Sequence, residues 1–410
     1  MRILQINTVS GTGSVGRIAV DLYRTCEKAG HVPYIAYGRG KATEHTASYK
    51  IGSRLDFYQH VLKNFFQGES GFGSEKKTEA FLEWVEQINP DLIHLHNIHG
   101  FYLNVEMLFA FIKKKHIPVV WTLHDSWAFT GHCAYFDYAN CDKWKKGCES
   151  CPIHRTAYPY AIFKDNSQNS YIRKQQSFQG VEKLVIVTPS KWLGELVKDS
   201  FLKEYPVKVI PNGIDLEKFR PMEGIEKKKV ILGVANVWEP RKGLPYFEQL
   251  AEHLPEGYVI KLVGVSKKQA GRLLRKYSKG ELVPVTRTES LEELAALYNE
   301  ASVYVNATLE DNFPTTNLEA LACGTPVVTF ETGGSPESIN PTCGKIVKKG
   351  NFDRLLAAIK EVLAVVEEQK REPESAGYLY SKKACRVRAC SFQKEERYGE
   401  YLKLYEQIKR

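Results

Sequence analysis

The sequence predicts an α/β protein built from two successive doubly wound parallel sheets. Its 410 residues are enough for two or three domains. Short β-branched runs alternate along the chain with segments of helical periodicity, which is typical of parallel sheets covered by helices. This alternation begins again in the second half of the chain. The restart is why we predict two sheets rather than one.

The composition is that of a folded protein with a large core. Hydrophobic residues make up 43% and charged residues 26% of the chain, which excludes intrinsic disorder. No apolar run approaches the roughly 18 residues of a spanning helix. The first residues turn polar too soon for a secretory signal. We therefore expect a cytoplasmic protein. The net charge of +9 is spread along the chain rather than gathered in one stripe, so we expect no nucleic acid partner.

The first half of the chain supplies the elements of the first sheet. Residues Ile18, Leu22 and Cys26 recur at four-residue intervals on one helix face, and Gly30 ends that helix. The predicted elements are a strand at 2–7, a loop at 10–14, a helix at 15–29, and strands at 32–37, 92–96, 119–124 and 183–189.

The second half repeats the pattern. We predict strands at 207–210, 228–235, 259–263, 302–306 and 325–330, and helices at 246–254, 291–301, 318–322 and 352–368. This organisation gives a first domain at 1–188, a second at 189–377, and a helical tail at 378–410 that packs back on the first domain. Because ligands of such sheets bind beyond the carboxyl ends of the strands, we expect the two domains to face each other across a cleft.

A loop of small residues follows the first predicted strand. It contains Gly11, Gly13 and Ser14, directly before the first helix. Backbone N–H groups at a helix N-terminus attract phosphate or carboxylate groups. The segment lacks both G-x-G-x-x-G and the G-K-[ST] of a P-loop. An anion-binding loop and a plain tight turn are therefore both open here.

The most informative stretch runs from 297 to 337. Glu310 and Asp311 follow a predicted strand, and Glu319 lies one turn into the next helix. This arrangement aims carboxylates and free backbone N–H groups at one small volume. N–H groups suit a diphosphate, whereas carboxylates suit the hydroxyls of a sugar or ribose.

This stretch resembles the E-x7-E region of glycosyltransferase family 4, whose members are retaining enzymes of GT-B fold. Asp311 stands at the first glutamate position, one residue after Glu310. Four other segments resemble the family in the usual order, and the resemblance spans nearly the whole chain. They are 121–127 (WTLHDSW), 189–192 (PSKW), 209–215 (VIPNGID) and 236–243 (NVWEPRKG).

The resemblance implies roles for single residues. Glu319 would bind the ribose of a nucleotide sugar, and Asp311 would hold hydroxyls of the donor sugar. Arg241 and Lys242 would neutralise the diphosphate, whose charge grows in the transition state. Backbone amides of the loop would add hydrogen bonds to the donor. The residues of that loop are Asn312, Phe313, Pro314, Thr315 and Thr316.

On the acceptor side, the resemblance places His124 near the donor sugar and the acceptor, while Gly13 would allow a close approach of its loop. It implies front-face transfer with no metal or other cofactor in catalysis. A leaving phosphate oxygen would assist deprotonation of the acceptor hydroxyl.

Four cysteines form a cluster within the insert 131–152. Cys133, Cys141, Cys148 and Cys151 are spaced C-x7-C-x6-C-x2-C. Four thiolates with one C-x2-C pair suit a tetrahedral, structural zinc ion. Free cysteines, or two disulfides in an exported chain, are the alternatives.

The sequence thus predicts a retaining hexosyltransferase of surface polysaccharide biosynthesis that uses a nucleotide diphosphate sugar. We expect a glycan acceptor, in particular a lipid-linked one. The basic clusters at 113–115, 143–146, 227–229 and 382–388 have two interpretations, which are ordinary solvated surface and peripheral attachment to the inner face of the plasma membrane. A GT-B nucleotide-sugar epimerase and a non-catalytic nucleotide-sugar-binding module are the alternatives.

Overall fold

The computed structural model describes residues 1–372 and 377–409, which form two compact units. Unit 1 contains Met1–Pro211 and Arg397–Arg410, and unit 2 contains Asn212–Glu396. Residues 373–376 of the predicted second domain and residue 410 of the predicted tail lie outside the described residues.

The predicted domain boundary after residue 188 is too early. A helix and a strand that follow it complete the sheet of unit 1. The predicted tail is also divided, because its residues before 397 belong to unit 2 and only the remainder packs with unit 1.

Unit 1 contains a parallel sheet that has seven strands in the part of the chain described above. Their order across the sheet is β3-β2-β1-β4-β5-β6-β7. The chain therefore builds outward in one direction from β1 and then returns to build in the other. The strands are β1 (Arg2–Val9), β2 (Val32–Arg39), β3 (Ser48–Lys50), β4 (Leu92–Leu95), β5 (Val119–Thr122), β6 (Leu184–Thr188) and β7 (Val207–Val209).

Helices connect these strands. Helix α2 begins at a capping box in which Ser53 and Asp56 bond each other's backbone N–H groups. The helices are α1 (Gly13–Lys28), α2 (Arg54–Gln67), α3 (Glu75–Ile88), α4 (Val105–Lys115), α5 (Ser167–Phe178) and α6 (Lys191–Lys198).

Unit 2 repeats this winding with a parallel sheet of the order β10-β9-β8-β11-β12-β13. The strands are β8 (Lys228–Val234), β9 (Val259–Val263), β10 (Leu282–Val285), β11 (Ala301–Asn306), β12 (Val327–Glu331) and β13 (Gly344–Lys348). The helices are α7 (Leu244–Ala251), α8 (Lys267–Lys276), α9 (Leu291–Glu300), α10 (Thr315–Ala322), α11 (Phe352–Arg371), α12 (Lys382–Cys390) and α13 (Lys394–Lys409), the last of which continues into unit 1.

Both faces of the unit 2 sheet are covered. Along β11, Val303 and Val305 lie in one apolar cluster, whereas Tyr304 lies in the other. This follows from the two-residue period of a strand, which sends successive side chains to opposite faces. The prediction of two doubly wound parallel sheets is confirmed.

No helix among the described residues combines the length and apolar character that crossing a bilayer demands.

Candidate active site

The centre of the unit 2 sheet is where its winding direction reverses, between β8 and β11. Because the strands are parallel, the loops after β8 and β11 leave the same edge. Such a reversal point is where open α/β sheets bind ligands. The loop after β8 carries Arg241 and Lys242, and the loop after β11 carries Asp311. The structure therefore brings Asp311 close to Arg241 and Lys242, which lie 70 and 69 positions earlier in the chain.

Direct contacts join the two loops. Lys242 Nζ forms an ion pair with Asp311 Oδ2. The carbonyl oxygen of Arg241 accepts hydrogen bonds from Leu309 N at 2.6 Å and Thr308 Oγ1 at 3.2 Å. The Arg241 guanidinium donates from Nη1 to the carbonyl oxygen of Glu310 at 3.1 Å. Two cations and a carboxylate are thus held in one place, as recognition of a diphosphate and a hydroxylated sugar requires.

Two glycines permit this close approach. Gly243 has a φ of +77°, and a Cβ there would lie 2.0 Å from the carbonyl oxygen of Ala307. Gly333 has a φ of +52°, and a Cβ there would lie 1.9 Å from the carbonyl oxygen of Asp311. The shape of the site depends on both positions having no side chain.

Helix α10 carries Glu319 into the interior. Its carboxylate is almost fully buried and accepts a 2.9 Å hydrogen bond from the hydroxyl of Tyr298 on α9. Burial and the neighbouring Glu319 charge raise the pKa of Tyr298, so its hydroxyl keeps its proton and remains a donor. The orientation of Glu319 is therefore set from a neighbouring helix.

The start of α10 presents the remaining predicted donor-binding residues. Pro314 caps the helix, while Thr315 and Thr316 form its first turn, where backbone N–H groups lack intrahelical acceptors. Asn312 and Phe313 are buried beneath this turn. Asn212 Nδ2 donates to the carbonyl oxygen of Phe313 at 3.2 Å.

A buried polar network fixes α10 against the sheet. Asn306 at the end of β11 donates to Asn317 Oδ1 at 2.8 Å. Asn317 Nδ2 in turn donates to the hydroxyls of Ser335 at 3.1 Å and Ser338 at 2.8 Å. Sequence reasoning missed this network. Its signal was Asn306, an amide between Val305 and Ala307 at the end of a buried strand.

In unit 1 the winding reverses between β1 and β4, and histidines collect at that edge. His96 follows β4 and His124 follows β5. His96 Nδ1 lies 3.1 Å from His124 Nε2, and His96 Nε2 lies 3.1 Å from Gln5 Oε1. Burial lowers the pKa of His124 to about 4 and that of His96 well below its usual value. Both rings are consequently neutral at neutral pH.

A second pair lies beside the first. His99 Nε2 is 2.8 Å from Asp125 Oδ2, and Trp127 N donates to Asp125 Oδ1 at 3.0 Å. Both side chains are buried, and the bonds from His99 and Trp127 N outweigh burial, so the pKa of Asp125 lies below its usual value. The sequence analysis identified His124 and missed both His96 and His99. The signal for them was the polar residues in and just after the buried strand at 92–96.

A buried lysine supports the loop after β5. Lys174 Nζ donates to the carbonyl oxygens of Trp127 at 2.7 Å and Thr130 at 2.9 Å. It also lies 3.5 Å from the centroid of the Trp127 ring. Burial lowers the pKa of Lys174 to about 7.

The glycine loop after β1 is shorter than predicted. Gly13 and Ser14 already lie in the first turn of α1, and Gly11 N donates to the carbonyl oxygen of Gly16 at 3.0 Å. The loop proper is the turn at 10–12. The prediction that it binds an anion or approaches an acceptor stays a prediction.

The four cysteines pack against the unit 1 core. Across residues 1–372 and 377–409, no three His, Cys, Asp or Glu side chains are grouped so that they could hold a metal ion. Burial instead raises the pKa of Cys148 to about 12 and that of Cys151 to about 11.

Other contacts hold the insert. Trp144 packs with Phe129 and Phe136 at centroid distances of 5.2 Å and 5.1 Å. Lys143 Nζ donates to the carbonyl oxygens of Glu149 at 3.2 Å and Ser150 at 2.8 Å. The prediction that the four cysteines hold a structural zinc ion stays a prediction.

Two family profiles match the chain. "Glycosyltransferase Family 4" matches residues 15–218, and "Glycosyl transferases group 1" matches residues 215–377. An Escherichia coli K12 protein, whose name places it among the glycosyl transferases of colanic acid biosynthesis, is 25% identical over 430 residues. That match covers 100% of both chains.

Solved structures show the same fold. Sucrose-phosphate synthase from Thermosynechococcus elongatus matches with a TM-score of 0.72 and 17% identity, covering 99% of this chain and 98% of that one. The Anabaena protein Alr3699/HepE in complex with UDP matches with a TM-score of 0.67 and 12% identity, covering 99% of this chain and 100% of that one.

Proposed function

Because this chain is a glycosyltransferase of family 4 with the GT-B fold, we propose that it is a retaining hexosyltransferase of surface polysaccharide biosynthesis. It takes the hexose from a nucleotide diphosphate sugar and transfers it to a glycan, which we propose is lipid-linked. The reaction takes place in the cytoplasm. The relative named for colanic acid biosynthesis supports this choice of pathway.

One observation carries the proposal. Arg241, Lys242 and Asp311 meet at the reversal point of the unit 2 sheet, with Glu319 held nearby by Tyr298. In our proposal the two cations stabilise the departing diphosphate, whose negative charge increases as the bond to the sugar breaks. Asp311 accepts hydrogen bonds from the sugar hydroxyls, and Glu319 accepts those of the ribose.

The Lys242–Asp311 ion pair has a consequence for substrate binding. Before the donor binds, Asp311 forms an ion pair with the Lys242 ammonium group, which the diphosphate requires. We propose that the donor releases this pair, so that Lys242 turns to phosphate and the Asp311 carboxylate becomes free for the sugar. A free nucleoside diphosphate carries no sugar. It would draw Lys242 to its phosphate groups but would leave Asp311 without a sugar hydroxyl to bind.

In unit 1, His124 contributes as a neutral imidazole. Its depressed pKa prevents it from presenting a positive charge at neutral pH. A neutral ring donates or accepts a hydrogen bond to a sugar hydroxyl without opposing the positive character that develops on the transferred sugar. In our proposal the departing phosphate oxygen takes the acceptor proton, and His124 orients hydroxyl groups.

Ligand-dependent thermal stability tests the donor site. UDP, GDP, ADP and dTDP are each added to the wild type, with UDP first because the Anabaena protein binds it. A ligand that binds only the folded state raises the melting temperature. We expect one base to give a shift that Lys242→Met and Glu319→Gln abolish. The matched control is Lys276→Met, which removes another paired but exposed lysine of unit 2.

Product analysis then tests the reaction. The sugar nucleotide of the responding base is incubated with and without a glycan acceptor, and the products are identified by mass spectrometry and NMR. Transfer with retained anomeric configuration supports the proposal. Turnover to an epimer without acceptor would replace it with the epimerase alternative. Binding without any turnover would leave a non-catalytic module.

A further inference from the structure

Helix α2 of unit 1 buries polar side chains and exposes apolar ones. The residues that it buries are His60 and Asn64, both polar. His60 lies 2.9 Å from Ser74 Oγ and accepts a 3.1 Å hydrogen bond from Gly73 N. Asn64 Nδ2 donates to the carbonyl oxygen of Tyr160 at 2.8 Å. These hydrogen bonds join the helix to the rest of unit 1.

Four of its large apolar side chains are exposed. They recur at intervals of three and four residues, which places them on one face of the helix. Phe163 extends this face, because its ring stacks on Phe66 with a centroid distance of 4.9 Å. Each of the five side chains is between 47% and 67% exposed. We call this surface the α2 apolar face: Leu55, Tyr58, Leu62, Phe66 and Phe163.

The α2 apolar face is a fixed surface. Ile162 N and Phe163 N donate to the carbonyl oxygen of Phe65 at 3.1 Å and 3.3 Å, which joins the loop to the end of the helix. Single exposed apolar residues are ordinary, but a contiguous set on one helix marks an interaction site.

Basic residues border this face. Arg54 precedes Leu55, and its guanidinium lies 5.7 Å from the centroid of the Tyr58 ring. Lys164 follows Phe163 and is exposed. An apolar helix face bordered by Arg or Lys is typical of helices that lie in the plane of a bilayer surface. Their apolar groups enter the acyl boundary, and their cations contact anionic headgroups.

The face adjoins the unit 1 site through a series of aromatic rings. Phe57 of α2 lies 6.1 Å from Phe101, Phe101 lies 6.0 Å from Tyr158, and Tyr158 lies 5.7 Å from His99. A membrane seated on α2 would therefore lie beside the histidines after β4. An acceptor whose lipid stays in the bilayer must be reached from such a position.

Two arginines of the basic cluster at 382–388 form hydrogen bonds within unit 2. Arg386 Nη1 donates to the carbonyl oxygens of Phe219 at 2.6 Å and Ala322 at 2.9 Å. Arg388 Nη2 donates to that of Glu337 at 2.6 Å. These guanidinium groups stabilise unit 2 from within and are not directed at a headgroup.

We propose that the α2 apolar face is the membrane-docking surface of this enzyme and that its partner is an anionic bilayer. The proposal deepens the proposed function, on which it rests for the lipid-linked acceptor alone. It replaces a general attraction of basic clusters with a defined helix face.

Flotation with vesicles tests the proposal on the full-length protein. The vesicles are phosphatidylcholine with or without phosphatidylglycerol. We expect the wild type to float with the anionic vesicles. Leu55→Ser combined with Leu62→Ser should weaken vesicle binding about tenfold or more, since both side chains would otherwise enter the acyl boundary. Arg54→Glu combined with Lys164→Glu should remove the preference for phosphatidylglycerol.

The matched control is Leu274→Ser combined with Val387→Ser, which removes two similarly exposed apolar side chains from helices of unit 2. It should float like the wild type. All variants should keep the wild-type melting temperature, nucleotide response and transfer to a water-soluble acceptor. A variant that passes these checks and fails to float has lost docking rather than folding or donor binding.

Two results would overturn the proposal. One is a wild type that responds to nucleotide but does not bind anionic vesicles, or binds them no better than the Leu55→Ser, Leu62→Ser variant. The other is a dimer in solution that this variant converts to a monomer without any vesicle binding, because the face would then join two copies. Absence of a nucleotide response with intact flotation would instead contradict the proposed function.

Discussion

Glu319 illustrates how one carboxylate depends on a residue outside its motif. A buried carboxylate needs hydrogen-bond donors, and Tyr298 supplies one from α9 at 2.9 Å. The high pKa of Tyr298 keeps the phenol protonated, so the hydrogen bond always runs toward Glu319. The tyrosine thereby orients the Glu319 carboxylate.

Tyr298→Phe tests this dependence. Removing one partner of a buried polar group costs roughly 1–3 kcal/mol, and we expect the unfolding free energy to fall by that order. We also expect the KM for the donor to rise several-fold more than kcat falls, because Glu319 loses its orientation. Steady-state kinetics and urea unfolding measure these quantities. The control is Tyr258→Phe, which removes a 2.8 Å bond to Glu367 elsewhere in unit 2; equal donor KM values in the two variants would contradict the prediction.

At this scale the sequence motifs indicate candidate residues but not the side chains that contact them. Arg241, Lys242 and Glu319 were identified because each stands in a recognisable local pattern. Tyr298 and His96 contact the site only because particular strands and helices become neighbours. No short-range pattern specifies those neighbours, since they depend on the order of strands across each sheet.

At the level of elements, the loop after β11 keeps its shape through contact with the turn after β12. Gly333 has a φ of +52°, and a Cβ there would lie 1.9 Å from the carbonyl oxygen of Asp311. We expect Gly333→Ala to displace Asp311 and to lower both stability and donor affinity. The backbone strain of such a residue is of the order of 1–3 kcal/mol, and the displaced carbonyl adds to it.

The variant Gly280→Ala separates backbone strain from the displacement of Asp311. Gly280 has a φ of +87°, and a Cβ there would meet nothing within 4 Å. It should therefore lose stability through backbone strain alone and keep the wild-type nucleotide response. Thermal unfolding with and without nucleotide measures both. If Gly333→Ala responded to nucleotide as Gly280→Ala does, the close approach to Asp311 would not shape the site.

Helix α2 shows why an element can escape sequence reasoning. Helices are recognised by an apolar face directed at the core, but this one buries His60 and Asn64 and exposes Leu55 and Leu62. The segment was assigned no element in our predictions. The helices α1 and α11, which bury their apolar faces, were predicted near their observed bounds.

For the whole molecule, the two sheets were predictable because each alternates strand and helix in a way that few folds accommodate. The boundary between the units was not. Residues 189–211 continue the alternation without a change in composition, and only their pairing with β6 assigns them to unit 1.

The two units should respond differently to acid. Of the eleven histidines, ten lie in unit 1, and unit 2 contains only His253, which is exposed. Burial lowers the pKa of His60, His124 and His132 to about 4 and that of His94 to about 3. In the unfolded chain these groups have a pKa near 6.5.

Proton linkage determines whether acid raises or lowers the stability of unit 1. Between pH 6.5 and about 4 the unfolded chain binds protons that these buried rings do not. The free energy of unfolding unit 1 is therefore undiminished above pH 6.5 and decreases as the pH falls through this window. We expect hydrogen exchange followed by mass spectrometry to show faster global exchange in residues 1–211 at pH 5 than at pH 7, after correction for the intrinsic rate. Residues 212–396 should change far less, because their only histidine, His253, is exposed. His94→Gln should weaken the dependence in unit 1, whereas His253→Gln should leave it unchanged. Equal acid sensitivity of the two units would show that the buried histidines do not control it.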